Sequence, residues 1–260
     1  MGADCCAAAE IDQTVTAVPE TLTDLPEIDF AGIKDPFEKF EQSLPFNRTL
    51  LATMQAKIDD AHKACGEQGW VTLSSLHKVL PTKAWAPLAD IESKLARVLL
   101  SDEFKDPKAN QQPDQIDVGI LIMFSLLHCA GKPYDRAVVL YGILQDGGLE
   151  AHEEISAGDK DFIPVFNKMA KLVTKDIFNL TKRCGETDFS YSDSDIRKVL
   201  DEENLEVIRE EQWLDDVYGN QSRLTNERWL EKVSKTANWF FSSNDFRRRI
   251  FSNAQVQYKH

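Results

Sequence analysis

The sequence predicts an all-α fold made of tandem helix-loop-helix units, with at most very short β pairs between the loops. Three observations carry this. Beyond Asn47, apolar residues recur at three- and four-residue spacing, as one face of a helix requires. Polar loops containing glycine and acidic residues separate the periodic stretches. No stretch alternates apolar and polar with turn signals on both sides, so no extended sheet is expected. The chain has 260 residues and is 42% hydrophobic, enough to bury one large core or two small ones.

Residues 1–45 contain Pro19, Pro26, Pro36 and Pro45 among threonines, acids and isolated apolar side chains, and are expected to form an extended arm. Residues 46–132 form a first pair of units. Leu50, Leu51, Met54, Ile58 and Ala61 mark one helix, and Leu73, Leu76, Val79 and Leu80 a short second one that stops at Pro81. Leu88, Ile91, Leu95, Val98 and Leu99 mark a third, and a polar stretch then leads through Ile116 into an apolar helix over 117–130.

Residues 133–235 form a second pair with added helices. A helix over 133–145 is followed by a glycine-rich acidic loop, and a long helix is predicted across 161–183. Ile196, Val199 and Leu200 follow, then a helix through Leu205, Ile208, Trp213, Leu214 and Val217, and another through Trp229, Leu230 and Val233. Short strand pairs are expected at Val71, Ile116, Ile155 and Ser190, each just before a helix start. An internal echo joins Lys63-Ala-Cys65-Gly66-Glu67 to Lys182-Arg-Cys184-Gly185-Glu186, and Lys78-Val79-Leu80 to Lys198-Val199-Leu200, as duplication of a unit would leave it.

A net charge of -13 and a pI near 4.9 argue against nucleic-acid binding, which needs a basic surface. Five cysteines, an odd number, suit a reducing cytosol better than a disulfide framework. The apolar run from Val118 to Ala130 is shorter than the roughly 20 residues that span a bilayer. The start Met1-Gly2-Ala3-Asp4-Cys5-Cys6 offers Gly2 for N-myristoylation and Cys5 and Cys6 for a second acyl anchor, although Cys6 stands where the usual pattern has Ser or Thr. Two acyl signals make membrane attachment stable where one does not.

A calcium loop in a helix-loop-helix protein draws ligands from positions 1, 3, 5, 7, 9 and 12, with glycine at 6. With Gly69 sixth, the first loop places Ala64, Gly66, Gln68 and Ser75 at positions 1, 3, 5 and 12, so it keeps the turn and no charge. The second loop carries Pro107 and Pro113 and ends on Ile120. The third offers Asp146, Glu150, Glu153, Glu154 and Asp159 as candidate metal ligands, on a span longer than the standard loop. The loop from Arg183 begins with a cation, and the stretch from Asp216 to Glu227 has outer acids around an interior of Tyr218, Asn220 and Arg223.

The Met1-Gly2 start, the helix-loop-helix rhythm and Asp135-Arg-Ala-Val-Val-Leu-Tyr141 before a glycine-containing acidic loop resemble the EF-hand superfamily. The resemblance is to its four-unit acylated members, such as the neuronal calcium sensors, calcineurin B-like proteins and flagellar calcium-binding proteins, and it spans residues 47–235. It implies reversible membrane attachment and a hydrophobic groove for a target helix, while the missing ligands imply no cofactor or only weak Ca2+ binding.

No phosphate-binding, nucleophile-elbow, zinc or dinucleotide motif occurs, so no enzyme is expected. In the tail, residues 236–260, Trp239, Phe240, Phe246, Arg247, Arg248 and Arg249 are candidate partner-binding residues, since such side chains anchor interfaces. The same tail could instead pack on the body or fill the protein's own groove. The expected function is a non-catalytic, lipid-anchored, cytoplasmic adaptor that binds a protein partner at a membrane surface. A structural subunit of a ciliary or cytoskeletal assembly is the first alternative, and a calcium sensor using the third loop the second.

Overall fold

The computed structural model describes residues 25, 33, 35–107, 111–146, 154–185 and 191–256. It is mostly helical, with two short antiparallel sheets. Its first helix, α1 (Pro36–Gln42), lies inside the stretch expected to be an extended arm. The Asp35 carboxylate caps it by accepting from the Phe37 and Glu38 amides, Pro36 supplies a preset first turn, and Phe37 and Phe40 share the buried face. Three apolar anchors, counting Leu44, are enough to order so short a segment once a core exists to receive them.

The first half alternates helix and loop as expected, except that the helix expected through Leu88, Ile91, Leu95, Val98 and Leu99 forms only over Lys94–Leu99: Leu88 sits in a separate turn (Ala86–Ala89), Ile91 is exposed, and the Ser93 side chain caps a fresh helix start. Helix α2 (Leu51–Ala64) leads through a loop to β1 (Trp70–Thr72) and α3 (Leu73–Val79); α4 (Lys94–Leu99) leads to β2 (Gln115–Asp117) and α5 (Val118–His128). Strands β1 and β2 pair antiparallel with Val71 opposite Ile116, both fully buried. The helices that follow the strands start where a side chain can take up a free amide: Thr72 and Ser75 form a reciprocal capping box on α3, and the Asp117 carboxylate accepts from the Ile120 amide on α5. Two left-handed glycines, Gly66 and Gly69 with φ near +78° and +77°, turn the first loop, which is why small residues stand there.

The second half contains α6 (Pro133–Asp146), β3 (Glu154–Ser156) and α7 (Phe162–Lys171). Helix α7 runs through a π-turn (Leu172–Asp176) into α8 (Ile177–Arg183). After α9 (Asp193–Val199), α10 (Glu202–Val207) continues through a second π-turn (Ile208–Trp213) into α11 (Leu214–Tyr218). Strand β4 (Arg223–Thr225), α12 (Asn226–Lys235) and α13 (Ser243–Asn253) complete the elements among the described residues. Strands β3 and β4 pair antiparallel with Ile155 opposite Leu224. Ser190, expected to contribute a strand, lies outside the described residues, and Leu224 is the partner that Ile155 finds.

Segments α8–α9 preserve the echo noticed in the sequence. Helices α2 and α8 end on Cys65 and Cys184 with nearly equal backbone angles, and the following Gly66 and Gly185 are both left-handed. Helices α3 and α9 both start on a capping box, Thr72 with Ser75 and Ser192 with Asp195. A single hydrophobic core runs through both halves. No helix among the described residues is long and apolar enough to cross a membrane.

Candidate functional site

The loops are the first place to look for chemistry. With Val71 placed eighth, the first loop offers Ala64, Gly66, Gln68 and Ser75 to an ion, and the Gly69 amide donates instead to His62 Nε2 at 3.1 Å. Asp117, which ends β2, is committed to capping α5, and burial pushes its carboxyl above the usual range. Pairing of Leu224 with Ile155 shifts the last loop by one residue from the span Asp216–Glu227. With Leu224 eighth, Val217, Gly219, Gln221 and Arg228 fall at positions 1, 3, 5 and 12, none of them a carboxylate.

Of the third-loop candidates, Glu150 and Glu153 lie outside the described residues, as does the Asp146 side chain. Glu154 is exposed on β3 with Arg223 at 3.9 Å, and Asp159 accepts from the Asp161 amide. Among the described residues no group of three or more His, Cys, Asp or Glu side chains is arranged to hold a metal ion. Gly2, Cys5 and Cys6 lie outside the described residues.

Each half closes over an aromatic plug, Phe46 in the first and Phe240 in the second. In the first, Phe46, on the turn Pro45–Arg48, meets Trp85 and Phe124 edge-on, both at 4.9 Å between ring centres. The Trp85 indole N–H donates to Thr49 Oγ1 beside it. In the second, Phe240 lies between Trp213 at 4.6 Å and Phe166 at 5.5 Å, with Phe246 at 4.8 Å. Trp239 is held from outside, its N–H donating to the Asp216 carboxylate at 2.7 Å and the Arg249 guanidinium lying over its ring.

Trp239, Phe240, Phe246 and Arg247 are therefore buried in the chain's own core rather than presented to a partner. Arg249 is engaged with Trp239 and Gln212, and Arg248 is the exposed member of the basic triplet. The reason is amphipathicity: α13 turns Phe246, Arg247, Ile250 and Phe251 inward, and a basic residue within that stripe follows its neighbours.

Arg247 is buried because Glu41 waits for it. Its Nη1 and Nη2 donate to Glu41 Oε1 and Oε2 at 2.7 and 3.1 Å, Ser243 Oγ adds a third bond to Oε1, and the guanidinium lies over the Phe37 ring. Burial pushes the Glu41 carboxyl up, but the Arg247 charge, with help from its hydrogen bonds and those of Ser243, outweighs it and holds the group below the usual range. Arg247 Nη1 also donates to the Val173 carbonyl, inside the π-turn between α7 and α8. A side-chain donor entering the helical ladder is a recognised cause of such widening.

Beside this ion pair opens a polar cavity of about 440 Å³ between α1, α5, α6 and α13. Arg136 frames it, donating to the Leu126 and Cys129 carbonyls at the end of α5 and to the Phe241 carbonyl. His128 closes one wall, its ring tilted by 45° against Phe124 at 4.2 Å; burial drives its pKa down to about 4, so the ring is neutral near pH 7. The sequence singled out neither Glu41, Arg136 nor His128. The signal available was a lone acid between Phe40 and Leu44, and such residues are ordinarily exposed.

Comparison with protein families, with curated proteins and with solved structures returns no match.

Proposed function

We propose that this chain is a non-catalytic EF-hand-like adaptor whose paired loops keep their shape without an ion. The observation that supports the reading best is the loop pairing: in each half two helix-loop-helix units meet through a three-residue antiparallel pair, centred on Val71 with Ile116 and on Ile155 with Leu224. Pairing of adjacent loops is how such units bury their hydrophobic centres, and it needs no metal once the aliphatic residues supply the contact. The loop positions of the first and last units that would hold calcium carry Ala64, Gln68, Ser75, Gln221 and Arg228.

The plugs supplied by Phe46 and Phe240 extend the proposal. A calcium sensor keeps its apolar groove available for a target, whereas here Phe46 and Phe240 fill the aromatic interior of their own halves. A partner protein would then be engaged through the outer surface, and acylation at Gly2, Cys5 and Cys6 would bring the adaptor to a membrane. The filled grooves equally favour a second reading, a fixed structural subunit of a larger assembly.

Titrating calcium while following tryptophan fluorescence and thermal unfolding tests the central claim. No change at millimolar calcium is expected, and a saturable shift in either signal would return the third loop to the role of a sensor. Intact-mass measurement after co-expression with an N-myristoyltransferase tests the anchor, with an added acyl mass expected on Gly2.

A further inference from the structure

We propose that the contact between Asp176 and Glu103 is a proton-operated joint between the two halves, tight when Asp176 holds a proton and loosened when it gives the proton up. The proposal does not rest on the EF-hand reading.

The joint is built from one face of α8 and the turn Asp102–Phe104 of the first half. Asn179 Nδ2 donates to Glu103 Oε1 at 3.1 Å, and the Arg183 guanidinium stands 3.8 Å from Glu103 and 3.9 Å from Asp102. Asp176, three residues before Asn179, closes the π-turn on the same side of the helix and is 1% exposed. Its Oδ1 lies 3.3 Å from Lys171 Nζ, while its Oδ2 is buried without a hydrogen-bond partner. Glu103 Oε2 is buried without one too. Two carboxylates from different halves therefore enter one dry joint, each with an oxygen left over. A charge is costly there and like charges add to the cost, so one proton on Asp176 relieves both.

The charged groups that face Asp176 come from each element around the π-turn. On α7, Lys171 and Lys168 attract it, but Lys171 is partly in solvent and Lys168 also answers to Asp117 and Asp106. Glu103 repels it from the first half. On α13, Arg247 reaches the π-turn at the Val173 carbonyl but is bound to Glu41. Helix α9 buries Ile196 and Val199 and leaves Asp193, Arg197 and Lys198 exposed, with Asp195 held by Ser192. Burial outweighs the lysines and pushes the Asp176 carboxyl up to about 6. In an opened joint the group would return towards about 3.9. The closed joint thus holds the proton more tightly, and opening becomes about tenfold easier per pH unit between about 4 and 6, then levels off. The π-turn is the place to yield, since its hydrogen-bond ladder is already widened.

Amide hydrogen exchange of the full-length protein, corrected for the pH dependence of the intrinsic rate, tests the joint. Protection over Leu172–Asp176 and over Asp102–Phe104 is expected to fall together, by about tenfold or more between pH 4.5 and 6.5, while α2 keeps its protection. Asp176→Asn cannot ionise and is expected to keep the acid level of protection throughout. Glu103→Gln retains an acceptor for Asn179 and removes the repulsion, so the midpoint should move to lower pH; it carries the test if the first variant fails to fold. A flat corrected profile in the parent overturns the proposal, as does an equal fall in α2, which would mean global unfolding. So does a midpoint that Glu103→Gln leaves in place. Asp176→Asn keeps His128, so a pH dependence surviving in that variant belongs to another group and overturns it as well.

Discussion

Glu41 and Arg247, 206 residues apart, meet through two parallel hydrogen bonds with both side chains almost fully buried. The pair ties α1 to α13, and through the Val173 carbonyl to the π-turn of the long central helix. Burying two charges is costly, and only the bidentate geometry, the Ser243 hydroxyl and the Phe37 ring face together offset it.

Removing one partner should therefore cost more than removing both. Glu41→Gln or Arg247→Met is expected to lower unfolding free energy by about 3–5 kcal/mol, because an unpaired buried charge or donor array remains. The double variant Glu41→Leu/Arg247→Met is expected to lose distinctly less. Urea denaturation of the three variants measures the difference, and equal losses in all three would show that the pair acts only through packing.

Two buried groups titrate in opposing senses between pH 4 and 6. His128 has its pKa lowered by burial to about 4, so the unfolded chain binds the extra proton and the stability it contributes is lost as pH falls from about 6.5 towards 4. Asp176 has its pKa raised by burial to about 6, against the pull of Lys171 and Lys168 and with the repulsion of Glu103, so the folded chain holds the proton and stability falls as pH rises from about 4 to 6. Each swing is worth about 3 kcal/mol, and the two nearly cancel. Asp176→Asn should unmask the histidine, giving a steeper loss of stability on acidification than the parent shows. Urea midpoints across that range check it; parallel profiles for parent and variant would remove Asp176 from the account.

The aromatic plugs can be pulled separately. Phe240→Ala is expected to destabilise by about 3–5 kcal/mol and to expose the Trp213–Phe166 surface to a hydrophobic dye. Phe46→Ala should do the same beside Trp85 and Phe124, with a change in Trp85 emission as its environment opens. Loss of stability without dye binding would mean that the core collapses into the vacated space.

The repeated capping boxes offer a smaller effect. Thr72→Ala and Ser192→Ala each remove the side chain that accepts from the third helical amide, and each is expected to cost about 1 kcal/mol. Thermal unfolding resolves losses of that size, and no shift in either variant would mean that water replaces the cap without cost.

Local chemistry made much of this architecture legible. Val71, Ile116 and Ile155 announce themselves as strand centres because a lone aliphatic residue between a polar loop and a helix start has few other places to go. Leu224 was harder to find, since the acids at Asp216 and Glu227 suggest a frame one residue away, and only its pairing with Ile155 sets the register. The third-loop candidates Glu154 and Asp159 were visible as acids, but nothing in their spacing tells whether acids converge.

The sequence by itself determined most of the helices beyond Asn47 and the poverty of carboxylates in the first loop, because periodicity and ligand spacing are properties of neighbours within a turn or two. Tertiary structure alone decided that the segments flanking the predicted units, around α1 and α13, are core. Phe37 and Phe40 before the first predicted unit, and Trp239, Phe240 and Phe246 after the last, read as an arm and a tail until the halves exist to receive them. The fate of a charge such as Arg247 depends on a carboxylate 206 residues away. Burial is a property of partners, and no local pattern specifies a partner at that distance.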